Sequence, residues 1–189
     1  IVLPGGAIQT LPIGSLAAGA STVTVVTYSV PANTTSNLSW TAGVATTTPE
    51  STTLNNTVTG VTGVTALADV STTISVTANA IPGATIKATV TFTNNGPSTA
   101  ANVIGTIVLP GGSTQTISIG SLPSGANTVT VATYVVPNGN VENLKWTAGV
   151  TTTTPESTLA NNTVSAVTGA ISLADLSVSK VASSGMVIY

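Results

Sequence analysis

The chain repeats itself at a fixed interval of 106 residues. The phrase IVLPGG begins at Ile1 and occurs again from Ile107. Aligned at this interval without a gap, residues 1–71 are identical to residues 107–177 at 47 positions, about two thirds of them. A fixed period of this kind indicates an array in which one supersecondary unit is used more than once. Whatever fold the chain adopts must therefore fit into one period.

One period is rich in signals for β-strands. Threonine accounts for 38 of the 189 residues, and the β-branched Thr and Val fit a pleated sheet better than a helix. In the segment GATIKATVTFTN, the apolar residues Ile86, Ala88, Val90 and Phe92 alternate with polar ones, which predicts a strand with one buried face. In the following NNGPSTA we expect a turn in which Gly96 supplies a positive φ and the next proline fixes the exit.

Seven short strands are predicted in one period. They lie at DVSTTISVTA, GATIKATVTFTN, NVIGTIVLP, TQTISIGSL, NTVTVATYVVP, ENLKWTAGVTTTT and NNTVSAVTGAI. This number of strands in about 100 residues is typical of an immunoglobulin-like β-sandwich. The predicted fold class is all-β, with tandem immunoglobulin-like Greek-key sandwiches. Strand alternation predicts these structural core residues: Trp40, Trp146, Leu38, Leu144, Phe92 and Val90.

The repeat also predicts how the chain divides into domains. Residues 1–65 correspond to the C-terminal half of one immunoglobulin-like repeat, residues 66–170 to a complete repeat, and residues 171–189 to the first strand of a following repeat.

Charged residues make up only 4% of the chain, and it contains no Arg, His or Cys. Nucleic acid is not expected as a partner, because phosphate binding needs clustered Lys or Arg. Without His or Cys, and with its acids scattered, the chain offers no catalytic centre, no metal site and no cofactor site, so we do not expect an enzyme. No apolar run approaches the roughly 20 residues of a membrane span, so no transmembrane segment is expected in this chain.

Several phrases, taken in order, resemble a known family. LADVSTTISV, TFTNNGPSTAANV, LPGG, IGSLPSGANTVTV and PESTLANNTV are similar to the prokaryotic surface-repeat family catalogued as domain of unknown function eleven. The resemblance extends over the whole middle repeat and both flanking pieces. It implies an immunoglobulin-like sandwich, used in tandem in long secreted or cell-surface proteins of bacteria and archaea.

These features favour a structural protein of an extracellular filament, stalk or surface array, with further copies of the same chain as its head-to-tail partners. A surface with few charges is tolerable when neighbours or glycans cover it. Asn-x-Ser/Thr sequons make the following residues candidate glycosylation sites: Asn33, Asn37, Asn55 and Asn161. The alternative hypothesis is an adhesin or a carbohydrate-binding surface module.

Residue 1 matches position 107 of the repeat, so the half repeat 1–65 lacks the early strands of a sandwich. One interpretation is that the chain is an excerpt of a longer array. The other is that a strand from another copy completes the half repeat and removes its open edge. In that case the candidate inter-subunit strand is the one that contains Leu173, Asp175, Leu176 and Val178.

Overall fold

The computed structural model describes residues 1–140 and 142–181, and every regular element in these ranges is a β-strand. The strands are β1 (Leu38–Gly43), β2 (Thr57–Thr62), β3 (Val70–Val76), β4 (Asn79–Ala80), β5 (Thr85–Asn94), β6 (Ala100–Val108), β7 (Thr114–Leu122), β8 (Asn127–Val135), β9 (Leu144–Thr151) and β10 (Thr163–Ala170). Within the described ranges, nothing resembles a helix long and apolar enough to cross a membrane.

Strands β3 to β10 form a sandwich of two sheets. One sheet has three strands in the order β3-β5-β8, and the other has five in the order β4-β10-β9-β6-β7. All pairs are antiparallel except β4 with β10, which are parallel. β5 pairs with β8 and β6 pairs with β9, so these two pairs of sheet neighbours are not neighbours in sequence. This is Greek-key connectivity, and it confirms the predicted all-β, immunoglobulin-like fold.

The core lies between the two sheets. The alternation in β5 is observed as expected, because Ile86, Ala88, Val90 and Phe92 are all buried. Trp146 of β9 is also fully buried. Its indole nitrogen donates a hydrogen bond to Thr168 Oγ1 at 3.2 Å, so the one polar group of the ring is satisfied inside the core.

Residues 1–65 form less regular structure than their sequence counterparts. β1 and β2 make an antiparallel pair, in which Leu38 is buried and Trp40 is half-buried. Residues 8–30 contain no strand, only an isolated bridge at Ile8, although they are similar in sequence to β7 and β8. β8 is held by pairing with β5, and residues 1–65 contain no counterpart of β5. A β-strand is stabilised by backbone hydrogen bonds to a neighbouring strand. The same sequence therefore does not form a strand when that neighbour is missing.

Two details of the sandwich differ from the sequence predictions. Gly96 does not have a positive φ. A Cβ at this residue would lie 2.5 Å from the backbone nitrogen of Asp69, so glycine is required there by the close approach of two backbones. The two-residue strand β4 was not predicted either, because it is too short to show an alternating pattern.

The predicted first strand of a following repeat is only partly described. Residues 171–181 are exposed and contain no strand, and residues 182–189 lie outside the described residues.

Candidate functional site: the first-strand latch

The first strand of the sandwich is fastened to a loop that lies more than 80 residues later in the sequence. We call this contact the first-strand latch and define it as residues 67–72 together with residues 155–162. The latch joins the two sheets, because β3 belongs to the three-stranded sheet and the loop leads into β10 of the five-stranded sheet.

Backbone hydrogen bonds form the frame of the latch. The amide of Ala68 donates to the Pro155 carbonyl at 2.8 Å, and the amide of Ser157 donates back to the Ala68 carbonyl at 2.9 Å. Further along, the Thr72 amide donates to the Asn161 carbonyl at 3.0 Å. The loop therefore binds the start of β3 as an added parallel strand would, through main-chain groups that any extended segment offers.

Carboxylates and amides add side-chain contacts to this frame. Glu156 Oε2 accepts a hydrogen bond from the Val70 amide at 3.0 Å, and Glu156 Oε1 accepts one from Asn162 Nδ2 at 3.0 Å. Asn161 Nδ2 donates to Asp69 Oδ1 at 3.0 Å. Hydrogen bonds to ionised groups are about twice as strong as neutral ones, so the contact with Asn161 favours a strand that has an acid at the position of Asp69.

The other side of β3 is held by the turn that follows β5. Asn94 is fully buried, and its side-chain nitrogen donates to the carbonyls of Ser98 and Leu122 at 2.8 and 2.9 Å. Its side-chain oxygen accepts from the amides of Gly96 and Asp69 at 3.0 and 3.3 Å. All the bonding capacity of this buried amide is thus used. The sequence NNGPS is therefore a docking turn for the first strand.

The loop side of the latch occurs a second time in the chain, at residues 49–56. The segment PES at 49–51 is identical to 155–157, and NNTV at 55–58 is identical to 161–164. Asn56 Nδ2 donates to Glu50 Oε1 at 3.1 Å, as Asn162 does to Glu156. Among the described residues, no first strand lies beside this second loop.

The strand side of the latch also occurs a second time. LAD at 173–175 is identical to 67–69, and Leu176 occupies the repeat position of Val70. Val70 is fully buried, whereas Leu176 is 93% exposed. The chain thus contains one assembled latch and, within its described residues, both unassembled halves of another.

A second contact joins residues 1–65 to the sandwich. The Asn33 amide donates to the Pro97 carbonyl at 3.1 Å, and the Thr99 hydroxyl donates to Asn33 Oδ1 at 3.0 Å. Asn33 adopts φ +63°, and Gly139, its counterpart one period later, adopts φ +79°. Both loops therefore take the same left-handed backbone conformation at this position.

The structure separates the candidate glycosylation residues into two groups. Asn33, Asn37 and Asn55 are exposed. Asn161 is half-buried, and its side-chain nitrogen is already bonded to Asp69, so a glycan at this atom would compete with the latch. The first three are the accessible sequons.

The described residues contain no group of three or more His, Cys, Asp or Glu side chains placed to hold a metal ion. The latch binds an extended strand and its acids act as hydrogen-bond acceptors. Sequence reasoning missed it because Asp69 and Asn161 are 92 residues apart. The available signal was the recurrence of LAD, PES and NNTV at the same interval.

Comparison with known proteins agrees with this architecture. The CARDB family profile matches residues 67–166. The chain is similar to the solution NMR structure of the CARDB domain of the PF1109 protein from Pyrococcus furiosus, with 14% identity, a TM-score of 0.50, and coverage of 56% of this chain and 97% of that chain. A crystal structure of the same domain in complex with di-metal ions aligns with 16% identity, a TM-score of 0.48, and coverage of 58% and 95%. A search of the curated proteins gives no match.

At these identities the structural likeness concerns the fold alone. The profile match covers more than half of the residues, from the start of the first-strand latch to the middle of β10. The chain therefore belongs to the CARDB family.

Proposed function

We propose that this chain is a structural repeat segment of an extracellular filament, stalk or surface array in which sandwiches pack head to tail. The observation that carries the proposal is the contact of Asn33 with Pro97 and Thr99, at 3.1 and 3.0 Å. There, a loop of the first repeat meets the docking turn of the next. The same backbone conformation recurs at Gly139, so the backbone part of this contact is available to a further repeat.

The composition of the surface supports this role. With 4% charged residues, separate copies of the chain have little electrostatic repulsion to keep them apart. Many large apolar side chains are exposed, with Val23 at 88% and Leu54 at 95%. Such a surface suits a protein covered by neighbouring copies or by glycans at Asn33, Asn37 or Asn55.

An adhesive role is the second candidate, and one feature favours it. A cleft of about 490 Å³ opens at one end of the sandwich, between Gly111, Tyr134, Glu142 and Lys145. Tyr134 stands edge-on to Trp146, with ring centroids 6.4 Å apart. An aromatic ring beside an acid and a lysine could hold a sugar. A structural or adhesive role at a surface is compatible with a CARDB module, and neither role requires catalysis.

The two functions predict different behaviour of the purified chain. For the structural role, sedimentation velocity over a range of concentrations should show ordered growth into larger species. Tyr134→Ala should leave this growth unchanged. Chains that stay monomeric at every concentration, and that bind defined oligosaccharides in a way that Tyr134→Ala abolishes, would establish the adhesive role instead.

A further inference from the structure

We propose that two copies of this chain join side by side, through antiparallel pairing of strand β8 of one copy with β8 of the other, centred on Val131. The surface is the open edge of the three-stranded sheet, and the partner is a second copy of the chain. The contact goes beyond the proposed function, because it uses other residues than the head-to-tail junction of Asn33 with Pro97 and Thr99.

The two sheets of the sandwich have four edge strands, and three of these are protected against pairing with another chain. The edge of β3 is covered by the first-strand latch, whose loop bonds the backbone amides of Ala68 and Thr72. β4 is only two residues long, and β7 is irregular at Gly120, where its register with β6 shifts and φ is +81°. Covering loops, short edge strands and bulges are the features by which sheets avoid edge-to-edge association.

β8 is the fourth edge strand, and in the part of the chain that the structure describes it has none of these protections. It pairs with β5 alone, over nine consecutive residue pairs without a register shift. Its sequence, NTVTVATYV, contains no proline and no charged residue. A long, regular, uncharged edge of this kind is a template for a further strand. Because β5 already orders β8 along its whole length, the strand loses little conformational entropy when a second copy pairs with it.

The backbone groups of β8 that face away from β5 belong to its odd-numbered residues. At the two ends of the strand, the Asn94 amide donates to the Ala126 carbonyl at 3.0 Å, and the Val136 amide donates to the Ala84 carbonyl at 2.9 Å. Hydrogen-bonded pairs alternate along an antiparallel ladder, so the even-numbered residues of β8 bond to β5. The odd-numbered residues from 127 to 135 therefore direct their amides and carbonyls to the open edge, where another extended strand can bond them in order.

A second copy of β8 matches this edge. When Val131 lies opposite Val131 of the second copy across a two-fold axis, all residues of both strands pair, and Val129 lies opposite Thr133. The open amides and carbonyls then form about ten hydrogen bonds, the number of a typical specific interface. Val129 and Val131 are each 56% exposed, and β-branched side chains that face each other across two strands stabilise the pair. Neither strand carries a charge that would oppose it.

The symmetry of this contact determines what it builds. A two-fold interface uses the same surface on both partners, so it is complete when two copies have joined. On its own it gives a dimer in which two three-stranded sheets continue into one sheet of six strands. Together with a head-to-tail junction, it joins two linear arrays side by side.

Disulfide trapping tests the pairing, since the chain has no cysteine of its own. In the proposed register the Cα atoms of residue 131 in the two copies are about 5.5 Å apart, a separation that a disulfide can span. Val131→Cys should therefore give a disulfide-linked dimer after mild oxidation. The control is Ser118→Cys, at an exposed position on the other long edge strand, β7, and it should give at least tenfold less dimer.

A second pair of cysteine variants tests the register. Val129 of one copy lies opposite Thr133 of the other, so Val129→Cys alone should not form a disulfide dimer. A mixture of differently tagged Val129→Cys and Thr133→Cys chains should give the mixed dimer. Dimers of Val129→Cys alone, with no mixed product, would contradict a pairing centred on Val131.

A matched pair of lysine variants, free of any cysteine, measures the association itself. Val131→Lys places two like charges opposite each other at the two-fold axis, and a lysine on an edge strand opposes pairing. We expect the dissociation constant of the dimer to rise at least tenfold in sedimentation equilibrium. Thr116→Lys puts the same charge at an exposed position on β7 and should leave it unchanged. Fluorescence of the buried Trp146 checks that each variant is folded.

The pairing and the proposed function fail in different ways. Trapping of Val131→Cys no higher than that of Ser118→Cys would overturn the pairing, and so would a loss of association in Thr116→Lys but not in Val131→Lys. Chains that link through residue 131 and grow no further than dimers would support the pairing and overturn the head-to-tail array. Larger assemblies in which the cysteines at 131 stay unlinked would do the reverse.

Discussion

Asn94 shows how strongly a single polar residue can determine the position of a strand. It is fully buried and bonds two carbonyls and two amides around the start of β3. From sequence, this residue is predicted only as part of a strand end and turn, because nothing local distinguishes a buried Asn from an exposed one. The sequence predicts a positive φ for the neighbouring Gly96, but in the structure glycine is required there because any side chain would collide with the backbone of Ala68 and Asp69.

Replacing Gly96 with alanine is expected to destabilise the sandwich. The new Cβ would press on the backbone of Ala68 and Asp69, and forcing atoms into a packed contact costs about 1–3 kcal/mol. Chemical denaturation followed by fluorescence measures the loss. Gly60→Ala is the control, since a Cβ at Gly60 meets no atom within 4 Å. Equal effects of the two substitutions would contradict this explanation.

The two tryptophans make similar contacts but are buried to different extents. Trp146 is fully buried, and Trp146→Ala should cost about 3–5 kcal/mol of unfolding free energy. Trp40 also bonds a threonine, Thr62, at 3.0 Å, but it is half-buried. Trp40→Ala should therefore cost clearly less. Denaturant titrations monitored by circular dichroism compare the two, and a larger loss for Trp40→Ala would be incompatible with the observed burial.

Among the strands, those that have at least one neighbouring strand to pair with are the ones that sequence alternation locates correctly. β5 alternates as predicted, and β7 and β8 lie within the segments TQTISIGSL and NTVTVATYVVP. The similar sequences in residues 8–30 form no strand. An alternating pattern shows which face of a strand is apolar, but it does not show whether a neighbouring strand is present to pair with it. The first-strand latch could not be predicted from the sequence of one repeat, because the residues that form it are far apart in sequence.

A substitution at Glu156 tests whether the first-strand latch stabilises β3. Glu156→Gln keeps the size of the side chain but removes the charge that accepts from Val70 and Asn162, so we expect a loss of about 1–3 kcal/mol in unfolding free energy. Glu50→Gln is the matched control and should leave the stability of the sandwich unchanged. Hydrogen exchange of the β3 amides locates the effect. Unchanged protection of β3 in Glu156→Gln would show that the carboxylate does not hold this strand.

For the molecule as a whole, the small number of charged residues means that little electrostatic repulsion keeps copies of the chain apart. Three lysines and five acids are spread over 189 residues. The apolar side chains of residues 171–181 are exposed, with Val178 at 97%. A surface of this kind is a liability for an isolated monomer and an advantage for a subunit in permanent contact with its neighbours.

Removal of metal ions is expected to leave the whole molecule unaffected. Asp69 and Glu156 already accept N–H donors from the protein, so the latch needs no cation to satisfy them. Thermal unfolding of the full chain should give the same midpoint with and without a chelator. A midpoint lowered by chelation and restored by calcium would show that these acids, or Asp175, hold an ion.

The central claim is that the chain is a subunit joined head to tail to its copies. A cryo-electron microscopy reconstruction of the assembled material tests it most directly. The account predicts a linear or helical array in which every junction is the same, with the loop at Asn33 of one repeat lying against Pro97 and Thr99 of the next. Separate particles without a repeated junction would contradict it.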